Sequence, residues 1–481
     1  MKKTLTLLLT AAALLMLGGI ASSEAADKSK PNILFIFADD MCYELIRELG
    51  HTDIDTPHLD RLVRRGTTFT HAYNMGSWSG AVCVASRTML NTGRYIWNAN
   101  AIYKDTAKEA EAGRMWSQYM SGAGYQTFMT GKWHVRADTK KIFDVSANVR
   151  GGMPKAVPST YNRPLEGKPD VWSPFDKSLG GFWEGGKHWS EVVADDAVEF
   201  MNVSSNNSKP FFMYIAFNAV HDPRQVAKKY IDDYPLDRIK VPKNFLPEYP
   251  YKDEIKNPKT LRDEKLGPFP RTHHAVKVHR QEYYALTTHM DEQIGRILAH
   301  LKKTGQDENT YIFFTADHGL AVGRHGLFGK QNMYEHSLRV PFVAVGPGIQ
   351  EGRKTAAPIY LQDVMPTSLE LAGVEKPEQV EFDSLMPMLT GKQKRSHLRS
   401  VYGAYLDAQR AIIANGHKLM LYPAAKVARL YNLKSDPEEM KDLAGKADSK
   451  PLMKKLFAKF LRQQKALGDK LEIKSLFPEL N

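Results

Sequence analysis

Four short apolar segments of the chain each end in polar side chains. Residues 33–38, 211–217 and 311–316 are almost wholly apolar, whereas residues 125–130 are more mixed. Continuous apolar runs of this length are typical of strands that are buried on both faces, as in parallel sheets. The first three segments therefore predict central strands, and the fourth predicts a strand nearer an edge.

Helical patterns lie between these predicted strands. Thr56-Pro57 is a typical helix start, and residues 278–303 carry apolar side chains at helical spacing. The alternation predicts an α/β fold with a large, mostly parallel sheet flanked by helices. In such sheets ligands bind beyond the carboxyl ends of the strands. The polar residues that follow the apolar segments are therefore the candidates for chemistry.

The end of the chain follows a different pattern. Residues 411–413, 418–422 and 429–433 are short strand-like runs, and Asn415-Gly416 is a typical hairpin turn. An amphipathic helix is predicted near residues 451–467. This part of the chain therefore predicts a smaller antiparallel sheet with a helix.

The start of the chain predicts export. Residues 1–25 combine a basic start, an apolar stretch and a small-residue cleavage site, as in a signal peptide. The apolar stretch is too short to predict a membrane anchor. We expect a periplasmic or secreted protein, with a catalytic α/β domain at 26–385 and a C-terminal α+β subdomain at 386–481.

The net charge of +12 suggests an anionic partner. Nucleic acid is a poor candidate, because the chain is predicted to be exported and carries no nucleic-acid-binding motif. A sulfated glycan fits better, and a well-solvated basic surface is the alternative.

The two cysteines, Cys42 and Cys83, have two possible interpretations. In an oxidising compartment they could form a disulfide. However, Cys83 lies just ahead of a short helical stretch, and Arg87 follows four residues later, near one helical turn away. This pattern favours a chemical task for Cys83.

Carboxylates and an imidazole follow two of the predicted strands. Asp39 and Asp40 close the first strand, and Asp317 and His318 close a later one. An oxygen-rich set at converging strand ends favours Ca²⁺ or Mg²⁺. Helix capping by the aspartates is the alternative.

Five segments together resemble the type I, formylglycine-dependent sulfatases of the alkaline-phosphatase-like superfamily. They are residues 31–40, Cys83-Val84-Ala85-Ser86-Arg87, Gly131-Lys132-Trp133-His134, Asp317-His318-Gly319 with Lys330 beyond, and Asp436-Pro437-Glu438-Glu439. The resemblance runs almost from end to end, in the order of the family.

The resemblance implies a sulfatase, a sulfuric ester hydrolase, whose cysteine is oxidised to formylglycine by a maturation enzyme. The hydrate of that aldehyde attacks the sulfate ester. One Ca²⁺ is expected per chain, with Mg²⁺ as the alternative. The implied metal ligands are Asp39, Asp40, Cys83, Asp317 and His318.

The resemblance also implies roles for the residues around Cys83. Arg87 would stabilise the hydrate, while Lys132 and Lys330 would neutralise the sulfate. His134 would take a proton from the remaining hydroxyl group, and His221 would protonate the leaving alcohol.

Three further residues are candidates for substrate binding. Asp222 and Arg224 follow His221 in a loop beyond a predicted strand. Trp183 lies in the aromatic-rich segment 137–190, and aromatic faces stack on sugar rings. The alternatives are a capped turn for the first two and loop packing for Trp183.

The leading prediction is a sulfatase that acts on a sulfated carbohydrate or polysaccharide. A phosphonate or phosphodiester hydrolase, an enzyme for a small ester such as choline sulfate, and a non-catalytic binder of sulfated glycans are the alternatives. Ala85 stands where many relatives have proline, so maturation needs an enzyme that tolerates alanine.

Overall fold

A computed structural model describes residues 30–50 and 53–481. The predicted signal peptide lies outside the described residues. Within the described ranges, no helix combines the length and the apolar character needed to cross a membrane.

The strands follow one another along the whole described chain. They are β1 Asn32–Ala38, β2 Thr67–Phe69, β3 Ala72–Tyr73, β4 Gly76–Ser77, β5 Gln126–Lys132, β6 Val145–Arg150, β7 Phe211–Ala216, β8 Thr310–Ala316, β9 Arg339–Val340, β10 Phe342–Val345, β11 Arg353–Thr355, β12 Ile359–Tyr360, β13 Val401–Tyr405, β14 Gln409–Ala414, β15 His417–Tyr422 and β16 Val427–Asn432.

The helices lie mostly between strands of the first part of the chain. They are α1 Pro57–Arg65, α2 Val82–Thr92, α3 Ile96–Ile102, α4 Thr106–Glu111, α5 Trp116–Gly122, α6 Thr139–Ile142, α7 Trp189–Ser205, α8 Lys228–Asp232, α9 His273–Lys303, α10 Glu335–Leu338, α11 Val364–Leu371, α12 Met386–Leu389 and α13 Lys450–Ala466.

The largest sheet has eight strands in the order β11-β2-β10-β8-β1-β7-β5-β6. The five strands from β8 to β6 run parallel, and β10 pairs antiparallel with both β8 and β2. The predicted strands β1, β7 and β8 are central and buried along almost their whole length. The more mixed segment, residues 125–130, forms most of β5, which lies one strand from the edge of the sheet. The predicted mostly parallel α/β sheet is confirmed.

Helices pack on this sheet through aromatic side chains. Trp116 of α5 contacts Phe35 of β1, with ring centroids 5.0 Å apart, and Phe200 of α7 contacts Phe128 of β5 at 5.0 Å. The predicted long helix is confirmed as α9, which begins earlier than expected because Thr272 caps it at Ala275 N.

The C-terminal sheet has the order β16-β15-β14-β13-β4. Its four C-terminal strands are antiparallel, as predicted, and α13 packs against them. The fifth strand, β4, was not predicted, and it comes from the segment just ahead of Cys83. Gly76 permits this pairing: its φ is +90°, and an added Cβ would lie 1.9 Å from the carbonyl oxygen of Ala404.

Residues 31–481 form one compact unit. The division into domains at residues 385 and 386 stays a prediction.

Candidate active site

The ends of four adjacent strands, in the order β8-β1-β7-β5, carry most of the predicted site residues. Because these strands are parallel, their carboxyl ends meet at one edge of the sheet. The residues placed there are Asp39 and Asp40 after β1, Lys132 and His134 at and beyond β5, His221 after β7, and Asp317 and His318 after β8.

Cys83 enters this edge from α2, of which it is the second residue. Its Sγ atom lies 3.3 Å from Nδ1 of His134. Both cysteines are free thiols, and Sγ of Cys42 instead contacts the carbonyl oxygen of Leu320 at 2.9 Å. The alternative of a disulfide is therefore excluded.

A cavity of about 270 Å³ opens in front of Cys83. Five predicted residues line it together: Cys83, Lys132, His134, His221 and Lys330. The placement of Lys330 in particular could not be derived from its spacing, because a loop of eleven residues, 319–329, separates it from His318.

Buried ion pairs hold the carboxylates behind this cavity. Lys132 Nζ lies 2.5 Å from Asp39 Oδ2, and Lys330 Nζ lies 2.9 Å and 3.0 Å from the two oxygens of Asp40. The predicted residue Arg87 is wholly buried and donates from Nε to Asp317 at 3.0 Å.

Arg87 also fixes the strand that carries Lys132. Its Nη1 donates to the carbonyl oxygen of Lys132 at 2.8 Å. A planar guanidinium that makes two such contacts sets both partners in one geometry. Arg87 therefore links α2, β5 and the segment after β8.

The carboxylates and imidazole fit a divalent cation. Ligand atoms of Asp39, Cys83, Asp317 and His318 lie within 4.8 Å of one another, and so do those of Asp39, Asp40 and His221. Among the described residues, Asp39 Oδ1 and His318 Nε2 are buried without a hydrogen-bond partner.

The tautomer of His318 supports this fit. Its Nδ1 lies 3.0 Å from the carbonyl oxygen of Gly319, and a carbonyl only accepts, so Nδ1 carries the proton. Nε2 then presents a lone pair to the carboxylates. Burial raises the pKa of Asp40 well above its usual range, more than the charge of Lys330 lowers it, as expected for a carboxylate that is removed from water.

The groups that face the cavity have shifted pKa values. Burial raises the pKa of the Cys83 thiol, but the pKa is lowered overall, with the charges of Lys132 and Lys330 among the causes that oppose burial. Burial and the charge of Lys132 lower the pKa of His134 to about 3. His134 is therefore a neutral base at neutral pH.

His221 contacts Lys330 across the cavity. Its Nδ1 lies 2.7 Å from the carbonyl oxygen of Asp222 and therefore donates, so Nε2 accepts a hydrogen bond from Lys330 Nζ at 2.9 Å. Burial and the charge of Lys330 hold the pKa of His221 well below its usual range. The proton between these two groups thus resides on Lys330.

The three predicted substrate-binding residues lie elsewhere than expected. Asp222 is buried and accepts two hydrogen bonds from Arg262, at 2.5 Å and 2.9 Å. Arg224 is buried and contacts His279 Nδ1 at 3.2 Å. Neither side chain lines the cavity, because each already has a protein partner.

Trp183 is also outside the lining of the cavity. It is only 6% exposed and packs edge-on against His188, with ring centroids 4.9 Å apart. In this structure Trp183 packs within its loop, as the alternative describes, and its role in substrate binding stays a prediction.

Three polar or charged lining residues were not predicted: Arg262, Asp263 and Gln331. Arg262 contacts Asp263 at 2.6 Å, and Gln331 donates to Asp263 at 2.6 Å. The first two belong to a long irregular loop without a motif, so no sequence signal pointed to them. Gln331 directly follows Lys330 and could have been found from that position.

A parallel sheet with carboxylates, ammonium groups and a nucleophilic side chain at its strand ends is the arrangement of a hydrolase for anionic esters. A sequence model of the sulfatase family matches residues 31–374. A second model, for the C-terminal part of N-sulphoglucosamine sulphohydrolase, matches residues 323–466. The chain belongs to the sulfatase family, and its activity is the hydrolysis of sulfate esters. Members of this family use a metal ion and a formylglycine.

Relatives and solved structures resemble the chain over most of its length. A sulfatase of Formosa agariphila is 29% identical over 85% of this chain and 82% of the relative. An N-acetylglucosamine-6-O-sulfatase of Bacteroides thetaiotaomicron is 25% identical over 98% of this chain and 92% of the relative.

The solved structures show the shared fold. One, in complex with its substrate D-glucosamine-2-N,6-O-disulfate, has a TM-score of 0.71, 24% identity, and coverage of 92% of this chain and 99% of the other. A phosphonate monoester hydrolase of Agrobacterium radiobacter has a TM-score of 0.68 and 20% identity, with coverage of 91% and 96%.

Proposed function

We propose that this chain removes sulfate from a sulfated carbohydrate outside the cytoplasm, with Cys83 converted to formylglycine. The observation that carries the proposal is the cavity in which Cys83 meets two lysines and two histidines. The names of relatives that act on N-acetylglucosamine sulfate and on ulvan support a carbohydrate as the substrate. The pattern of residues 1–25 supports export to the periplasm or beyond.

Position 83 is the nucleophile in this proposal. The formylglycine supplies, as its hydrate, an oxygen nucleophile on Cβ of residue 83, so that Sγ of Cys83 stands in for an oxygen. His134 Nδ1, at 3.3 Å from that atom, would take the proton of the remaining hydroxyl group on the same carbon, so that sulfate leaves and the aldehyde is restored. The low pKa of His134 keeps the imidazole ready to do so at neutral pH.

The metal in this proposal is Ca²⁺, because the ligands are mostly carboxylate oxygens. Asp39, Asp40, Asp317 and His318 would hold it together with residue 83. When bound, it would supply a Lewis acid that polarises the sulfate oxygens.

The remaining residues bind and protonate the substrate. Lys132 and Lys330 give the cavity two ammonium groups that neutralise the sulfate. His221 relays a proton to the leaving alcohol: Nε2 first takes the proton that Lys330 Nζ donates to it at 2.9 Å and then passes it to the leaving oxygen, so that Lys330 is left neutral. Arg87 keeps Asp317 and Lys132 in place from behind.

A peptide mass spectrum across Cys83, taken on protein from its native host, tests the proposal. We expect an aldehyde at residue 83. Its presence would also show that the host has a maturation enzyme that accepts Ala85. The same protein should release sulfate from N-acetylglucosamine 6-sulfate or from heparin, ulvan or carrageenan oligosaccharides. A phosphonate monoester serves as the counter-substrate. Sulfate release by protein whose Cys83 is wholly thiol would contradict the mechanism.

A further inference from the structure

A second and larger cavity, of about 720 Å³, lies between α3 and the C-terminal sheet. Two half-buried tryptophans, Trp78 and Trp97, form part of its wall, together with Asn100, Lys256, Arg410 and Lys470. Its volume is in the range of about 300–1,000 Å³ that is usual for small-molecule sites. Aromatic walls with a few polar groups are the usual lining of such sites.

Trp97 is fixed in this wall by polar contacts. Its indole nitrogen donates to the hydroxyl group of Tyr402 at 3.2 Å, and that hydroxyl donates to Asp469 at 2.6 Å. Asp469 accepts from Arg410 at 2.7 Å, and the guanidinium of Arg410 lies 5.0 Å from the centre of the Trp97 ring. A closed network of four side chains thus holds an aromatic face that solvent still reaches, which lowers the entropy that binding would otherwise cost.

The segment that carries Trp78 joins the two cavities. Gly80, two residues beyond Trp78, lines the catalytic cavity, and its carbonyl oxygen accepts from Gln331 of that cavity at 3.2 Å. The five residue-to-residue steps from Trp78 to Cys83 span at most about 18 Å. A short oligosaccharide whose sulfated ring lies at Cys83 can therefore reach the tryptophan wall.

The charges of the cavity suit a sugar better than a bare anion. Lys256 is paired with Asp407, and Arg410 with Asp469. Within the described part of the chain, Lys470 has no carboxylate partner. Paired charges offer hydrogen bonds to hydroxyl groups without a strong field, while indole faces accept the C–H face of a pyranose ring.

We propose that the Trp78–Trp97 cavity binds a second pyranose ring of the substrate, so that the enzyme prefers oligosaccharides to single sulfated sugars. This inference rests on the proposed action on sulfated carbohydrates. It adds a binding site for a part of the oligosaccharide that lies away from the sulfated ring.

The test compares three substrates: 4-nitrophenyl sulfate, N-acetylglucosamine 6-sulfate, and hexasaccharides from heparin, ulvan and carrageenan. Trp97→Ala should raise KM for the hydrolysed hexasaccharide about tenfold, as expected for about 1.4 kcal/mol of lost stacking. It should leave kcat unchanged, and it should leave both parameters unchanged for the two small substrates.

A second variant distinguishes a loss of binding from misfolding of Trp97→Ala. Asn100 is exposed and, among the described residues, its side chain has no hydrogen bond. Asn100→Trp should fill the cavity and raise the same KM without the loss of any packing. Phe175→Ala, at an aromatic residue that is 41% exposed and outside the cavity, is the matched control and should change nothing.

Each result decides between the two proposals. An unchanged hexasaccharide KM in both Trp97→Ala and Asn100→Trp overturns the second binding site and leaves the carbohydrate sulfatase standing. An equal rise in KM for N-acetylglucosamine 6-sulfate also overturns it. If the wild type cleaves 4-nitrophenyl sulfate but none of the sugars, the carbohydrate substrate fails, and the second site fails with it.

Discussion

The fold buries two clusters of opposite charges that differ in what surrounds them. In the C-terminal cluster, Lys418 is wholly buried, and its Nζ has three oxygens within reach: Glu335 Oε1 at 2.9 Å, Glu439 Oε1 at 2.8 Å and the carbonyl oxygen of Met333 at 3.0 Å. An ammonium group has three hydrogens to donate. This cluster is therefore closed: each hydrogen of Lys418 faces an oxygen of the fold, and Lys418 lines neither the cavity in front of Cys83 nor the Trp78–Trp97 cavity.

The cluster at the strand ends is equally buried but open on one side. Lys132 and Lys330 each contact a carboxylate and also line the cavity in front of Cys83. Within the described residues, Asp39 Oδ1 and His318 Nε2 keep unused lone pairs. Charges that the fold encloses on all sides hold the fold together, whereas charges that border a cavity are available for a metal and a substrate. Substitutions in each of the two clusters can test this difference between them.

Cys83→Ala should have the largest effect on activity. We expect sulfate release to fall by at least about 10³-fold, because the nucleophile is lost. The melting temperature should change little, since Cys83 makes only one side-chain hydrogen bond, to His134. Sulfate assays and thermal scans on the same preparation check both statements. Substantial residual turnover would show that residue 83 is not the nucleophile.

Removal of the metal should affect activity and stability together. Dialysis against a chelator should abolish turnover and lower the melting temperature, because a ligand present at a hundred times its Kd stabilises the folded state by about 2.7 kcal/mol. Added Ca²⁺ should restore both. His318→Ala serves as the matched control, and its melting temperature should respond much less to the chelator. If the chelator leaves the wild-type melting temperature unchanged, this would argue against a metal at these residues.

Lys418→Met should affect stability alone. It leaves Glu335 and Glu439 buried without their cation, so we expect a loss of about 3–5 kcal/mol in the free energy of unfolding. The kcat of the folded fraction should stay unchanged, because Lys418 is not in the catalytic cavity. Lys455→Met, at an exposed lysine of α13, is the control for the lost charge. A fall in kcat would mean that the two clusters are coupled.

The closed cluster should also make the stability depend on pH, and we expect this effect to be smaller than that of Lys418→Met. Burial raises the pKa of Glu439 to about 7, more than the charge of Lys418 lowers it. A carboxyl whose pKa is raised on folding stabilises the protein at low pH, and this contribution is lost as the pH rises from about 4.3, the unfolded value, through 7. Denaturant titrations from pH 4 to 8 should show on the order of 2 kcal/mol of such loss. In Glu439→Gln this part of the slope should vanish; an identical slope would rule out Glu439 as its source.

The sequence predicted the sheet and the charged strand ends because both depend on local pattern. Apolar runs such as residues 33–38 and 311–316 can be placed only in the middle of a sheet, and polar residues that follow them fall at one edge. Lys132 and His134 were predicted at this edge for the same reason, whereas Cys83, which lies on α2, was added to the site by the family resemblance.

What could not be predicted depends on contacts between distant segments. Arg262 reaches the cavity because Asp222 and Asp263 hold it, and Asp222 was assigned to the substrate because its partner was unknown. Trp183 was chosen for its aromatic-rich surroundings, but composition does not tell which aromatic face stays open. The two tryptophans that do face a cavity, Trp78 and Trp97, lie outside that segment.

The pairing of β4 with β13 also joins two strands that become available at different times during synthesis of the chain. β4 lies immediately ahead of the segment that carries Cys83, and its partner begins only at Val401. During synthesis on the ribosome, residues 76–92 therefore emerge long before the strand that fixes them. The pairing of β4 with β13 therefore cannot help to bury Cys83, which is 3% exposed in the finished fold, until β13 has been made.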